Sequence, residues 1–275
     1  MLINHWIKHP ELKREEELLV HLHHMRMGTS ENLSAPMGLS FRTVRESLIP
    51  SLYKQNRKLI LSHRLKDGRA VYYLGPEGCK RVSQIVGYKV NFYDYTGAQA
   101  RHFEGINNIM GRLIKRIGIE RFKYKTKWFF TRQARDMIQK AWSELLTEQV
   151  DQGYVSAEEA ANILDELPEP DARFEILDKK ARWLEFDNDT ESRKKIERKM
   201  MDYVEAMIPM ENQDVIIWVT TKHNPQRKDY LSNVWQDVKN SEEVQRLKDG
   251  YGDQFFLPSM HFFVEGEETD SILFL

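Results

Sequence analysis

Between Pro170 and Tyr203 the chain places Asp171, Glu185, Asp187, Glu191 and Lys199 at spacings that suit metal-assisted chemistry on a phosphodiester. Asp171 precedes an apolar-rich segment holding Ala172, Phe174, Ile176 and Leu177. After Asp178-Lys179-Lys180 a second segment, Trp183 to Asp187, carries two acids. Two such runs around a turn-like triplet predict a β-hairpin. Strand side chains alternate between faces, so Glu185 and Asp187 point one way and Leu184 and Phe186 the other. If Asp171 opens the partner strand, three carboxylates share one surface. Such an oxygen-rich set suits Mg²⁺ or Mn²⁺, and without a cation it repels itself.

The following segment, Thr190 to Met207, repeats apolar residues at Ile196, Met200, Val204 and Met207, a helical spacing with Asp189 or Thr190 as cap. Lys195, Lys199 and Tyr203 are four apart and share a helix face. A lysine brought to a metal-bound phosphate would stabilise the charge that develops there. The same residues also make an ordinary solvated strand end and helix, and that reading stays open. Tyr203 suits helix packing better than attack on DNA.

The elements around this cluster must come from 275 residues that are 41% hydrophobic and 11% aromatic, enough for one large domain or two ordinary ones with real cores. A single cysteine, Cys79, excludes an intramolecular disulfide and a Cys-rich zinc site and fits a reducing compartment. Neither a secretory leader nor an apolar run near ~20 residues is visible, so a cytoplasmic location away from membranes is expected. The formal net charge of −1 conceals an asymmetry: residues 1–140 hold 26 Lys+Arg against 12 Asp+Glu, and residues 141–275 hold 15 against 30. A basic half attracts polyanions. An acidic half suits metal ligands, a basic partner or solubility.

Residues 11–26 predict an amphipathic helix with Leu12, Leu18, Leu19, Leu22 and Met25 on one side and Gly28 as its stop. A short helix over 30–35, a turn at Pro36 and Gly38, and a third helix over 40–55 follow. Ser40 caps the third, Val44, Leu48 and Leu52 face inward, and Pro50 bends it or ends it early. Lys58–Arg64 and Ala70–Leu74 read as strands joined through Lys66-Asp67-Gly68-Arg69, a strong hairpin signal. Three helices and a hairpin are the layout of a winged helix-turn-helix, whose third helix enters the major groove of DNA. Arg42, Thr43 and Arg45 would then face base edges, and Arg64, Lys66 and Arg69 phosphates or the minor groove. Residues 1–90 carry 15 Lys+Arg against 8 Asp+Glu, in keeping with that partner.

Residues 91–140 read as a basic connector: a helix over 98–117, then a strand over 121–132 in which Lys123, Lys125 and Lys127 alternate with Phe122, Tyr124, Thr126 and Trp128. That face suits a DNA backbone, or guards an edge against aggregation. Helices over 133–149, with Glu144 as a surface acid, and 156–167 follow. Beyond Tyr203 come a strand over 215–220, a helix over 226–239, a glycine-containing loop at 250–252, a β-rich run over 255–264 and an exposed Gly266-Glu-Glu-Thr-Asp270 turn. The alternation predicts an α/β second domain and an α+β chain overall. His21, His23 and His24 read as a wet helix face, and His102 as a packing residue. No Gly-rich phosphate loop or nucleophile elbow points to a small-molecule cofactor.

The chain resembles the replication-relaxation family of plasmid and integrative-element proteins. The likeness rests on Arg42-Thr-Val-Arg45, Val71-Tyr-Tyr-Leu-Gly-Pro-Glu-Gly78, the helix at His102, Pro170-Asp-Ala172, Glu185-Phe-Asp-Asn-Asp-Thr-Glu191, Lys199 to Tyr203, and Val215-Ile-Ile-Trp-Val-Thr-Thr221. It implies a winged helix-turn-helix over 1–90, the connector over 91–140, and a restriction-endonuclease-like domain over 141–275. In that domain Asp171 and Glu185 match the two acids of the PD-(D/E)XK pattern. Asp187 stands where its lysine is expected, so Lys199, or Lys195, would supply the charge from the helix. The implied function is sequence-specific binding of double-stranded DNA in replication or mobilisation, with Mg²⁺- or Mn²⁺-dependent nicking of a transfer origin. The alternative is a non-enzymatic replication initiator or transcriptional regulator whose acidic domain serves self-association, as in a homodimer, or partner binding.

Overall fold

Helix α1 (Arg14–Met25) forms because Leu18, Leu19, Leu22 and Met25 recur on one side, and all four are buried. The structure is a computed structural model that describes residues 12–95, 97–176, 180–208, 214–252 and 255–275. Glu11, Leu177 and the Asp178-Lys179 turn therefore lie outside the described residues. Gly28 does not stop α1. The helix ends at Arg26, whose φ is 65°, and Gly28 sits within a short strand, β1 (Met27–Thr29). His21 lies on no wet face either, since it is fully buried, 3.9 Å from the buried Glu17.

Helix α2 (Ser30–Met37) starts from Thr29, whose hydroxyl accepts from Asn32 N at 3.1 Å while the Asn32 side chain accepts from Thr29 N at 3.0 Å. Pro36 fits inside its last turn, and left-handed Gly38 closes it. Ser40 then caps α3 (Phe41–Thr43), which continues through a wide π turn (Val44–Leu48) into α4 (Ile49–Gln55). Pro50 accounts for the wide turn: it has no N–H to give, and its ring crowds the carbonyl four residues back. Ile49 bonds instead to Val44 O, so the helix survives with Val44, Leu48, Ile49 and Leu52 buried.

β2 (Ile60–Arg64) and β3 (Ala70–Leu74) pair antiparallel from Ile60↔Leu74 to Arg64↔Ala70, with β1 on the other side of β3. Gly68 takes φ 85° in the connecting turn, where only glycine is unstrained. Two glycines then let the next helix, α5 (Pro76–Val86), approach the hairpin. A Cβ on Gly75 would stand 2.2 Å from the Lys58 carbonyl oxygen, and one on Gly78 2.1 Å from that of Leu59. Helix α6 (Gly97–Ile117) follows as expected. The basic strand over 121–132 does not. Gly118 at φ 85° lets helix α7 (Ile119–Lys125) start, and burial of Phe122 holds it. Lys123 and Lys125 thus lie on a helix, and only Lys127 falls in a strand, β4 (Thr126–Phe130), between buried Thr126 and Trp128.

The chain divides into two units after Lys127, so the expected connector is shared: α6 and α7 belong to the first, and α8 (Thr131–Asp151) to the second. After α9 (Ala157–Glu166), capped by Ser156, come β5 (Ala172–Ile176), β6 (Arg182–Asp187), α10 (Arg193–Ala206), β7 (Val215–Thr220), α11 (Arg227–Lys239), α12 (Glu242–Tyr251), β8 (Ser259–Val264) and α13 (Glu268–Phe274). The sheet order is β4-β5-β6-β7-β8. β5 and β6 are antiparallel, and β6, β7 and β8 parallel. Trp183, Ile216, Trp218 and Met260 pack with Ile138 and Trp142 of α8, Ile196 and Val204 of α10, and Val234 and Trp235 of α11. Every residue of β6 and β7 is buried, as parallel strands inside an α/β layer require.

Several expected boundaries move. Ser192, not Asp189 or Thr190, precedes α10, and Asp189 takes φ 61°. The glycine loop at 250–252 is the end of α12. The expected exposed turn at 266–270 starts α13, where Glu268 is fully buried and accepts from Gly266 N at 2.6 Å. The described residues are mixed α/β with two sheets, α+β overall. Among the described residues no helix is long and apolar enough to cross a membrane.

The close approach of α5 to the hairpin is testable. Urea denaturation should show Gly75→Ala and Gly78→Ala each destabilised by about 1–3 kcal/mol. Gly97→Ala, with no atom within 4 Å of the new Cβ, should be neutral or slightly stabilising.

Candidate functional site

Asp171 N–H donates to Leu184 O at 3.0 Å, which extends the β5–β6 ladder one residue beyond Ala172↔Leu184 and sets Asp171 opposite Glu185. The Asp171 carboxylate accepts from Phe186 N at 2.7 Å. On the other side Glu185 pairs in parallel with Trp218. Helix α10 lies against this stretch, held by Ile196, Met200 and Val204 in the core. Its polar face carries Lys199 and Tyr203 to Glu185. Lys199 Nζ donates to one carboxylate oxygen at 2.5 Å, and the Tyr203 hydroxyl donates to the other. Lys199 also sits 5.6 Å from the centre of the Trp218 ring, a cation–π contact.

Glu185 and Tyr203 are essentially without solvent contact, whereas 26% of the Lys199 side chain is exposed, so the lysine is the side of the cluster that meets solvent. Burial pushes the Glu185 carboxyl up to about 7, against the pull of Lys199 and with the added push of Asp171. Although burial opposes the charge on Lys199, the acids beside it hold the ammonium protonated well above its usual range. Burial and the neighbouring Glu185 raise Tyr203 far above the ordinary phenol value. It is a neutral donor here, and its burial leaves no room for a tyrosine nucleophile.

Asp187 shares the sheet face of Glu185 but belongs to another network. Its Oδ2 takes Arg227 Nε at 2.7 Å and its Oδ1 accepts from Asp189 N at 2.9 Å. Arg227 also donates to Glu191 O at 2.9 Å, and Asn224 donates to Asp189 at 2.7 Å. Among the described residues no three His, Cys, Asp or Glu side chains gather as a metal site, so the expected triad of Asp171, Glu185 and Asp187 is not assembled. Mg²⁺ is commonly held by one or two carboxylates with water and phosphate oxygens completing its shell. Asp171 and Glu185, opposite each other on neighbouring stretches of the ladder, supply that number of carboxylates, whereas Asp187 is taken by Arg227. Lys195 is paired with Glu191 at 2.7 Å, and Glu144 is an exposed acid 3.9 Å from Lys140.

The sequence pointed to Lys199 and Tyr203 through their spacing of four. It gave no hint of Arg227, which reaches Asp187 from a later helix.

In the first unit, Arg42, Thr43 and Arg45 are exposed on the first turns of the helix that begins at Phe41. Arg42 Nε donates to Glu46 at 2.7 Å, and Arg45 lies over the Phe41 ring. Arg64 and Lys66 are exposed on the hairpin. Arg69 is engaged twice, with Asp67 at 2.6 Å and with Glu104 of α6 at 2.5 Å, so it braces the hairpin.

The raised Glu185 sets the sign of a pH effect. Its folded value lies above the ordinary 4.5, so the folded state holds the proton more tightly than the unfolded chain. The contribution is present below about pH 4.5 and is lost as pH rises through about 7. Glu185→Gln lacks this titration. Its stability relative to the wild type should therefore rise between pH 5 and 7 and level off by pH 8 in urea denaturation. A flat difference would mean that the carboxylate is ionised throughout.

No family model, curated protein or solved structure matches this chain.

Proposed function

We propose that the chain is a double-stranded-DNA-binding protein of a plasmid or mobile element, acting in replication or mobilisation, whose second unit nicks DNA with Mg²⁺ or Mn²⁺. The observation that carries this reading is the contact of Lys199 with Glu185 beside Asp171: two acids on adjacent strands and a cation brought from a helix. Perturbed titrating groups of this kind concentrate at functional sites. The order of helices and hairpin in the first unit supports a winged helix-turn-helix, and the second unit's sheet with its acid pair supports an endonuclease-like fold. The resemblance to the replication-relaxation family supplies the biological setting.

Asp171 and Glu185 would hold the ion. When bound, it would polarise the scissile phosphate and activate water. Tyr203 fixes the orientation of Glu185 by its hydrogen bond. Lys199, released from Glu185, neutralises the phosphate oxygens as charge grows on them. Arg227 and Asp187 stay outside this chemistry and secure the loop over 188–191. In the first unit Arg42, Thr43 and Arg45 face bases, while Arg64 and Lys66 meet phosphates.

One observation favours the second reading, a non-enzymatic initiator or regulator: both Glu185 oxygens already have protein donors. Supercoiled plasmid bearing candidate origins, incubated with Mg²⁺, Mn²⁺ or EDTA, separates the two. Metal-dependent open-circle formation should fall by roughly 100-fold or more in Lys199→Met and vanish in Asp171→Asn, with DNA binding intact. Specific binding without nicking by the wild type would move the assignment to the second reading. In the binding assay Arg42→Ala or Arg45→Ala should change sequence preference, whereas Lys66→Ala should weaken all sequences and lower the salt slope by about 1.

A further inference from the structure

Phe41 keeps 46% of its surface exposed at the start of the helix assigned above to the major groove. A ring left in water forgoes the stabilisation of burial, while Val44, Leu48 and Ile49 on the same helix are buried. Arg45, one turn on, lays its guanidinium over the ring, 5.2 Å from its centre, and keeps 57% of its side chain exposed. The ring lies against the guanidinium, whose N–H groups keep enough exposure to meet an acceptor. Arg42 is held by Glu46 at 2.7 Å, whereas Arg45 is 3.6 Å from the same acid and is the less restrained. The surface therefore joins an apolar ring to a forked donor.

In the major groove thymine offers a C5 methyl group and guanine the O6 and N7 acceptors. Successive base pairs are about 3.4 Å apart, so a ring and guanidinium in contact reach neighbouring pairs. We propose that Phe41 and Arg45 act together to read a thymine–guanine step, with the thymine methyl against the Phe41 ring and the guanine edge on Arg45. This rests on the first unit being a DNA reader. The pairing orients Arg45 before DNA arrives, which reduces the side-chain ordering that binding must impose.

The full chain is first used to enrich duplexes from a random pool. Each thymine of the enriched duplex is then replaced in turn by deoxyuridine, which lacks only the methyl group. One replacement, next to an enriched guanine, should weaken wild-type binding roughly fourfold, the worth of one buried methyl. Phe41→Ala should bind both duplexes alike, Phe41→Leu should keep part of the difference, and thermal unfolding should show both variants folded. Equal binding of all deoxyuridine duplexes by the wild type, or retained discrimination in Phe41→Ala, would overturn the pairing while leaving DNA binding in place. Failure to enrich any duplex would instead remove the DNA-reading role itself, and this proposal with it.

Discussion

A glutamate shut away from water must find its donors inside the protein, and Glu185 finds Lys199 and Tyr203. Much of the second unit is arranged around that requirement. Helix α10 has to lie at the depth and rotation that bring two residues of one face onto one carboxylate, which fixes how Ile196, Met200 and Val204 enter the core. The sheet has to hold Glu185 between Asp171 on one side and Trp218 on the other, and a shift of one residue in β6 would turn every side chain to the opposite face. Removing one partner of such a buried pair leaves an uncompensated charge, a loss of about 3–5 kcal/mol in comparable cases. Apolar residues of similar volume would serve packing as well, so the pair is no source of extra stability.

Two acids two residues apart on one strand end in different networks. Glu185 is taken by α10, and Asp187, at the strand end, by Arg227 of α11. Arg227 lies 4.7 Å from the Tyr230 ring and bridges Asp187, Asp189 and the Glu191 backbone. It thereby fixes the connection from β6 to α10, so the helix that carries Lys199 starts from a defined point. Shared strand faces placed the acids on one surface, and the helices above that surface divided them.

The sequence revealed the site's local geometry and missed its distant partners. The β5–β6 hairpin, the shared face of Lys199 and Tyr203 and the Asp67-Gly68 turn follow from periodicity and turn chemistry within a few residues. Arg227 is 40 residues from Asp187 in sequence, and no local pattern encodes the pair. Lys123, Lys125 and Lys127 alternate as a strand would, but Gly118 starts a new helix whose Phe122 is buried, and that burial overrides the period of two. Charge also misled at Glu268 and His21: both are polar residues that the fold buries, Glu268 with hydrogen bonds from its own turn. The three-residue strand β1 was too short to show a period. Helix α5 could have been found, since Gly75, Pro76 and Glu77 form a recognisable start and Gly87 a stop.

As proposed above, Asp171 and Glu185 form a two-carboxylate cation site in which Lys199 competes for Glu185. Calorimetric titration of Mn²⁺ into the wild type, Asp171→Asn and Lys199→Met tests it most directly. The account predicts one ion bound by the wild type, loss of binding in Asp171→Asn, and tighter binding in Lys199→Met, where the competing ammonium is gone. No binding by the wild type, or binding indifferent to both substitutions, would contradict it.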